Sequence, residues 1–533
     1  MPLPSPLRPS NVQRPRRRAT DAKKQRFEAA EREKAGSQTV CQRPNRDKAL
    51  MAKFHKTLPH NELGEVDEAA FAVLQDCIIS GDFDTCESIP NGGEGYLVNP
   101  LGGMAVDLGS PCGSSTSIPP APTLSSPEMA GHMAECYWMS LTRDVPFTEY
   151  GSNPITKLAA ENLAAMEGFP LDTNYVAMGT DGSIDPEKQL YRPNFLGVDK
   201  GPYMSQLLAN DLTFDSIDVE VKQTTNVAGV DYMTDWENWL NIQNGGTPLQ
   251  KMREDPVKRF IRNGRDLARL VHTDTIYTEA FRGAMVLLAK DGVAPTGANG
   301  PYLESTRQRG FTDWGPSHFL KMLGRGEGAQ RNSWYQKWHV HMTLRPEAMG
   351  GIVHRALTAG NGFDYIDFDV HPSLLGNTEL LDMVFEANAA QNEVNDAGGG
   401  TYLLSQALNE GSPAHPSYPA GHAVQNGAYA TILKAMCGER GDYCVPDLIV
   451  ADPDGKRMIP YTPAADERCI DADTGLEGLT FAGEINKMGA NVAFGRNHLG
   501  VHYRFDSTEG MLLGETVAVR ILHAVSLPSP RRH

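Results

Sequence analysis

The sequence predicts a mainly α protein: one large helical domain built from packed bundles, with few short strands. Three observations carry this. Apolar residues recur at helical spacing through most of the chain after residue 130, strand-like alternation is weak outside TFDSIDVEVKQ at 213–223, and no fixed-period repeat is visible. The 533 residues, 40% of them apolar, can bury one large core or several small ones.

Residues 1–50 carry high charge, Pro and Gln with few apolar side chains, and predict a disordered tail. Their RPRRR run lies in no apolar stretch, so no secretory signal is read. A cytoplasmic location is the default. Residues 51–129 predict a loop-rich region packed on the core, because 88–128 is dense in Gly, Ser and Pro. The helical domain is expected over 130–525, followed by a short tail at 526–533. Its first helix opens in SSPEMAGHMAECYWMSL, where Ser precedes Pro and Glu. The stretch KRFIRNGRDLARLVHTDTIYTEAFRGAMVLLA predicts several helical turns interrupted at one Gly. Further helices are expected in HFLKMLGRG, SWYQKWHVHMTL, NTELLDMVFEANAAQNEV, AVQNGAYATILKAMC and GEINKMGANVAFGRNHLGVHY.

A formal charge of −17 argues against nucleic acid as a partner, since phosphate binding needs a basic face. No apolar run is long enough to span a membrane. Eight cysteines do not make a disulfide scaffold, although the spacings Cys77/Cys86 and Cys437/Cys444 suit short closed loops. No motif for haem, flavin or nicotinamide is present.

Basic chemistry concentrates in three segments. In KWHVHMTLRP, Lys337 and Arg345 would lie about 80° apart on a helix and aim at one place. Pro346 is expected to end that helix. In HPSYPAGHA, Gly421 and His422 precede the helical run AVQNGAYATILKA, so they should sit at a helix N-terminus, where free N–H groups favour an anion. In GRNHLGVHY, Arg496 and His502 reach one site only if Gly500 allows a break. Read singly, each segment could be a solvated basic face. Together they assemble a deep oxyanion site.

This order of motifs, K-x7-RP, then PxGH, then R-x5-H, resembles the signature shared by vanadium-dependent haloperoxidases and acid phosphatases. HPSYPAGHAV, GRNHLGVHY, YQKWHVHMTLRPEAMGG, DYMTDWENWLNIQ and LARLVHTDTIY resemble the algal and cyanobacterial bromoperoxidase branch. The resemblance implies two packed four-helix bundles and vanadate as cofactor. It implies hydrogen peroxide, a halide and small organic acceptors as reaction partners, and a homo-oligomer, dimer or higher. His502 would be the ligand to vanadium and His422 the acid/base. Lys337, Arg345, Arg496 and Gly421 would hold the vanadate oxygens, and Asp274 would orient His422. His415 and Trp334 fall at positions that shape the halide approach. Chloride-oxidising members carry an aromatic at the position of His415, so histidine leans toward bromide and iodide. The family has serine where this chain has Ala420, which removes one donor to the oxyanion. His339, His341 and His498 match no assigned role. Two rival readings remain: a phosphatase with His502 as nucleophile, and a non-catalytic oxyanion-binding relative weakened at Ala420.

Overall fold

The computed structural model describes residues 50–524, apart from 105–112, 171–174, 177, 180, 215, 290–301, 303–304, 360–368, 438–443 and 471–476. The tails expected at 1–50 and 526–533 lie outside the described residues, apart from Leu50. The architecture is mainly α, as expected.

Helix α1, Glu68–Ser80, starts at Asp67, whose carboxylate accepts from Ala70 N–H. A disulfide, Cys77–Cys86, ties it to the short helix Phe83–Glu87. Helix α2, Pro127–Leu141, is capped by Ser126 with Pro in its first turn, and it is buried from Met129 to Ser140. Helices α3 (Gly264–Leu270) and α4 (Thr278–Ala289) divide the stretch expected as a single interrupted helix. Gly264 does not interrupt that helix. It opens α3, because Asn263 caps it by accepting from Asp266 N–H. The break comes at 271–277, where Ile276 takes a positive φ of 59°.

Then follow α5 (Pro316–Arg325), α6 (Ala329–Gln336), α7 (Pro346–Thr358), α8 (Thr378–Val394), α9 (Gly421–Cys437), α10 (Phe481–Leu499) and α11 (Arg504–Ala524). Every residue of α10 from Gly483 to Leu499 is buried, so this helix is wrapped on all sides. Helix α9 packs along α11 at close range. A Cβ on Gly427 would stand 2.2 Å from Met511 O, and one on Gly514 would stand 2.0 Å from Val424 O.

The alternating stretch near 213–223 forms a hairpin of Leu212–Phe214 with Ile217–Val219. Between α9 and α10 the strand Glu477–Thr480 pairs with Cys444–Val445 on one side and Cys469–Ile470 on the other. The expected Cys437–Cys444 loop is not formed. Cys444 bonds Cys469 across this small sheet, and Cys437 stays a buried thiol at the end of α9. Among the described residues no helix is long and apolar enough to cross a membrane.

Candidate active site

The three basic segments converge, though by a different backbone route than their spacing suggests. Lys337–His341 is a π-helical turn that continues α6, and it stops at Met342, whose φ is 46°. Arg345 is extended (φ −78°, ψ 151°), and Pro346 starts α7. The expectation of one helix carrying both cations and ending at Pro346 is therefore corrected. Proline suits a helix's first turn, since its missing N–H would have no partner there. Gly421 and His422 do begin a helix, and Gly500 (φ 92°) does end α10, so that Arg496 lies on the helix and His502 beyond it.

Each cation is held by main-chain carbonyls. Lys337 Nζ donates to Pro416 O at 2.8 Å and Ser417 O at 2.7 Å. Arg345 Nε donates to His415 O at 2.8 Å, and its Nη1 to Val501 O at 2.9 Å. Arg496 Nη1 donates to Val271 O at 2.7 Å, and its Nε is buried without a partner among the described residues. Burial, with mutual repulsion, pushes Lys337 well below the ordinary ammonium range. Burial lowers Arg345 to about 9 and Arg496 to about 10. Cations so placed favour any anion that joins them.

His502 Nδ1 lies 2.8 Å from Asp506 Oδ2, and Nε2 lies 3.0 Å from Arg345 Nη1. A guanidinium can only donate, so Nε2 carries the lone pair and Nδ1 the proton. Burial and the surrounding cations hold this ring far below the usual histidine pKa, which keeps it neutral. Asp506 is also bonded by Ser417 Oγ, and Tyr503 N–H donates to the same carboxylate at 3.1 Å. Burial pushes Asp506 up to about 6.

His422 Nε2 lies 2.9 Å from Asp274 Oδ1. Burial and Arg496 lower the pKa of His422, while Asp274 opposes them. Burial would raise Asp274, but the bond and charge of His422, with Arg496, outweigh it and leave this carboxyl below the usual range. A Cβ on Gly421 would meet Trp334 Cζ3 at 3.1 Å and Gln330 Oε1 at 3.2 Å, so there is little room for a side chain. Ala420 is fully buried beside it. His415 Nδ1 lies 3.0 Å from Arg345 Nη2, and its ring centroid is 5.0 Å from that of Trp334. The Trp334 N–H is buried without an acceptor among the described residues.

Lys337, Arg345, His415, Trp334, Gly421, His422, Asp274, Arg496 and His502 thus lie around one buried site. His339 and His498 instead make structural contacts: His339 Nε2 lies 3.1 Å from Gly102 O, and His498 Nε2 lies 3.2 Å from the Tyr203 hydroxyl. His341 packs edge-on against Tyr418. Sequence reasoning missed Asp506 and Ser417. The signal for Asp506 was its place four residues after His502 at the start of α11, where a helical turn brings the two together. Ser417 lies inside the quoted HPSYPAGHA and was passed over.

The fold and this cradle define a helical-bundle protein with a buried, cation-lined site suited to a compact oxyanion. A family described as the VCPO second helical-bundle domain matches residues 387–527. The chain is 52% identical over 515 residues to the vanadium-dependent bromoperoxidase of Ascophyllum nodosum, across 96% of this chain and 88% of that protein. It is 30% identical over 557 residues to the vanadium-dependent bromoperoxidase of Corallina officinalis, across 91% of this chain and 88% of that protein. Among solved structures it is similar to the homohexameric second vanadate-dependent bromoperoxidase of Ascophyllum nodosum. That match has a TM-score of 0.87 and 39% identity, over 97% of this chain and 87% of that one. The chain belongs to the vanadium-dependent bromoperoxidases.

Proposed function

We propose that the chain binds orthovanadate in this cradle and uses hydrogen peroxide to oxidise bromide, and iodide, to hypohalous acid that halogenates small organic acceptors. The observation that carries the reading is three buried cations around a neutral histidine whose Nε2 keeps its lone pair. A compact oxyanion fits these residues. It would partner the orphaned Arg496 Nε, relieve the depressed cations, and meet the N–H groups at the start of α9.

In this reading His502 Nε2 is the ligand atom to vanadium. Lys337, Arg345, Arg496 and the Gly421 N–H hold the oxygens. The bound group supplies a Lewis acid toward peroxide. His422 moves the proton. Its Nε2 is engaged by Asp274, so Nδ1 is the exchanging nitrogen, and Asp274 stabilises the ring when it becomes charged. Lys337 would supply positive charge beside the bound group. Asp506 fixes the His502 tautomer. His415 and Trp334 line the halide approach.

The phosphatase and non-catalytic readings are disfavoured, because the relatives along nearly the whole chain are bromoperoxidases. Incubating the vanadium-free protein with orthovanadate should give bromination of a phenol-type dye from bromide and peroxide. Absence of that activity, alongside phosphate-ester hydrolysis without vanadate, would overturn the reading. The hexameric relative supports a homo-oligomer for this chain, which sedimentation would test. The two disulfides found among the described residues of this chain favour an oxidising compartment over the cytoplasm expected by default.

A further inference from the structure

Behind the Asp274–His422 pair lies a second carboxyl. Glu279 sits in the first turn of α4, five residues after Asp274, and only 4% of its surface is exposed. Asp274 uses Oδ1 for His422 Nε2, at 2.9 Å. Its other oxygen, Oδ2, is buried with no donor among the described residues, and so is Glu279 Oε2. The two side chains lie within hydrogen-bonding reach of each other. Two ionised carboxylates in so dry a place repel, and a single proton between them satisfies both bare oxygens.

That proton belongs on Glu279. Asp274 is held ionised by His422 and Arg496. Glu279 feels mainly burial and the charge of Asp274, which push its carboxyl up to about 7. The cation nearest to it in sequence, Arg282 one turn along, is also drawn to Asp211.

We propose that Glu279 is a positioning residue for the proton-transfer histidine: its protonated carboxyl donates to Asp274 Oδ2, fixes the plane of that carboxylate, and so aims the His422 ring and sets how tightly it holds a proton. This rests on the reading of His422 as the proton-transfer group. It extends a two-member arrangement to three, His422–Asp274–Glu279, reaching from α9 through the 271–277 break into α4. When Glu279 loses its proton, near pH 7, a second negative charge appears behind Asp274 and His422 holds its own proton more firmly.

The test uses the full chain as wild type, Glu279→Gln, Glu279→Ala, His422→Ala and the double variant Glu279→Ala/His422→Ala. Glutamine keeps an N–H for Asp274 Oδ2 but cannot ionise, and it carries the test if the alanine variant does not fold. The first readout is the ring 15N titration of His422 in vanadium-free protein, its resonance identified by its loss in His422→Ala. The second is the pH profile of bromination after vanadate loading. In Glu279→Gln the alkaline limb should move to lower pH, with the His422 titration of vanadium-free protein close to wild type, because Glu279 is still protonated where His422 titrates, and with kcat within about 3-fold of wild type. In Glu279→Ala kcat should fall about 10-fold with KM for bromide unchanged, as for other groups that orient a site residue. In the His422→Ala background the second substitution should change nothing further. An unmoved alkaline limb in Glu279→Gln, or an alanine loss of equal size without His422, would overturn the role. Near-normal bromination by His422→Ala alone would bring down the reading of His422 together with it.

Discussion

His502 uses its two nitrogens for two tasks, and the division depends on Asp506. With Nδ1 donating at 2.8 Å to the carboxylate, Nε2 has no choice but to present a lone pair. His502→Ala should therefore lose vanadium, with retention after dialysis falling at least about 100-fold by metal analysis. Asp506→Asn keeps the shape and weakens the acceptor, so retention should fall by less. Ala420→Ser adds the hydroxyl that the family resemblance implies at this position. Its added donor to an anion should tighten vanadate binding by about 1.5–3 kcal/mol, or roughly 10- to 150-fold, in a titration of activity against vanadate. Turnover at saturating vanadate should move little. At this scale the sequence was most legible where charge is rare in apolar surroundings. Lys337, Arg345, Arg496 and the two histidines stand out for that reason. Asp506, Ser417 and Glu279 did not, because a carboxylate or hydroxyl on a helix or loop looks the same whether it faces water or a buried histidine.

Helices α9 and α11 approach so closely that glycine is required at the contact. The Cβ of Gly514→Ala would be driven against Val424 O, a backbone atom that cannot swing aside. We expect a loss of about 1–3 kcal/mol in chemical denaturation, with vanadate affinity falling as well because α9 begins at the cradle. A Gly324→Ala control, where a Cβ meets nothing within 4 Å, should leave stability unchanged or slightly raised. Helix identities were legible at this scale, because caps such as Ser126 and Asn377 and the apolar spacing agree. The breaks were not. Ile276 and Met342 take positive φ, a conformation that a large side chain advertises in no pattern and that only the surrounding contacts impose. The Cys444 partner was misread for a related reason: the sheet that brings Cys469 to it is made of strands too short to show alternation.

For the molecule as a whole, Glu279 links the site to stability. Its carboxyl is raised from 4.5 to about 7 in the folded chain. A raised acid favours folding fully below its unfolded value, and that contribution is lost as pH climbs through the folded value. The shift corresponds to about 3 kcal/mol, lost between roughly pH 4.5 and 7. Other groups add their own slopes, so the informative quantity is the difference between wild type and Glu279→Gln in denaturant unfolding of vanadium-free protein. Relative to wild type, the glutamine variant should gain stability as pH rises across that window.

The carbonyls that hold the three cations belong to Val271, His415, Pro416, Ser417 and Val501, stretches of chain far apart in sequence. An anion seated among those cations is therefore a clasp: it draws together segments that otherwise repel through their charges. Loading should raise the melting temperature with the logarithm of vanadate concentration. At a hundredfold excess over the dissociation constant the clasp adds about 2.7 kcal/mol. Phosphate, which has the same shape, would close it too, in proportion to its own affinity. A preparation kept in phosphate buffer would then be heat-resistant and idle at once, and exchange into a phosphate-free buffer should cost it melting temperature before vanadate restores both.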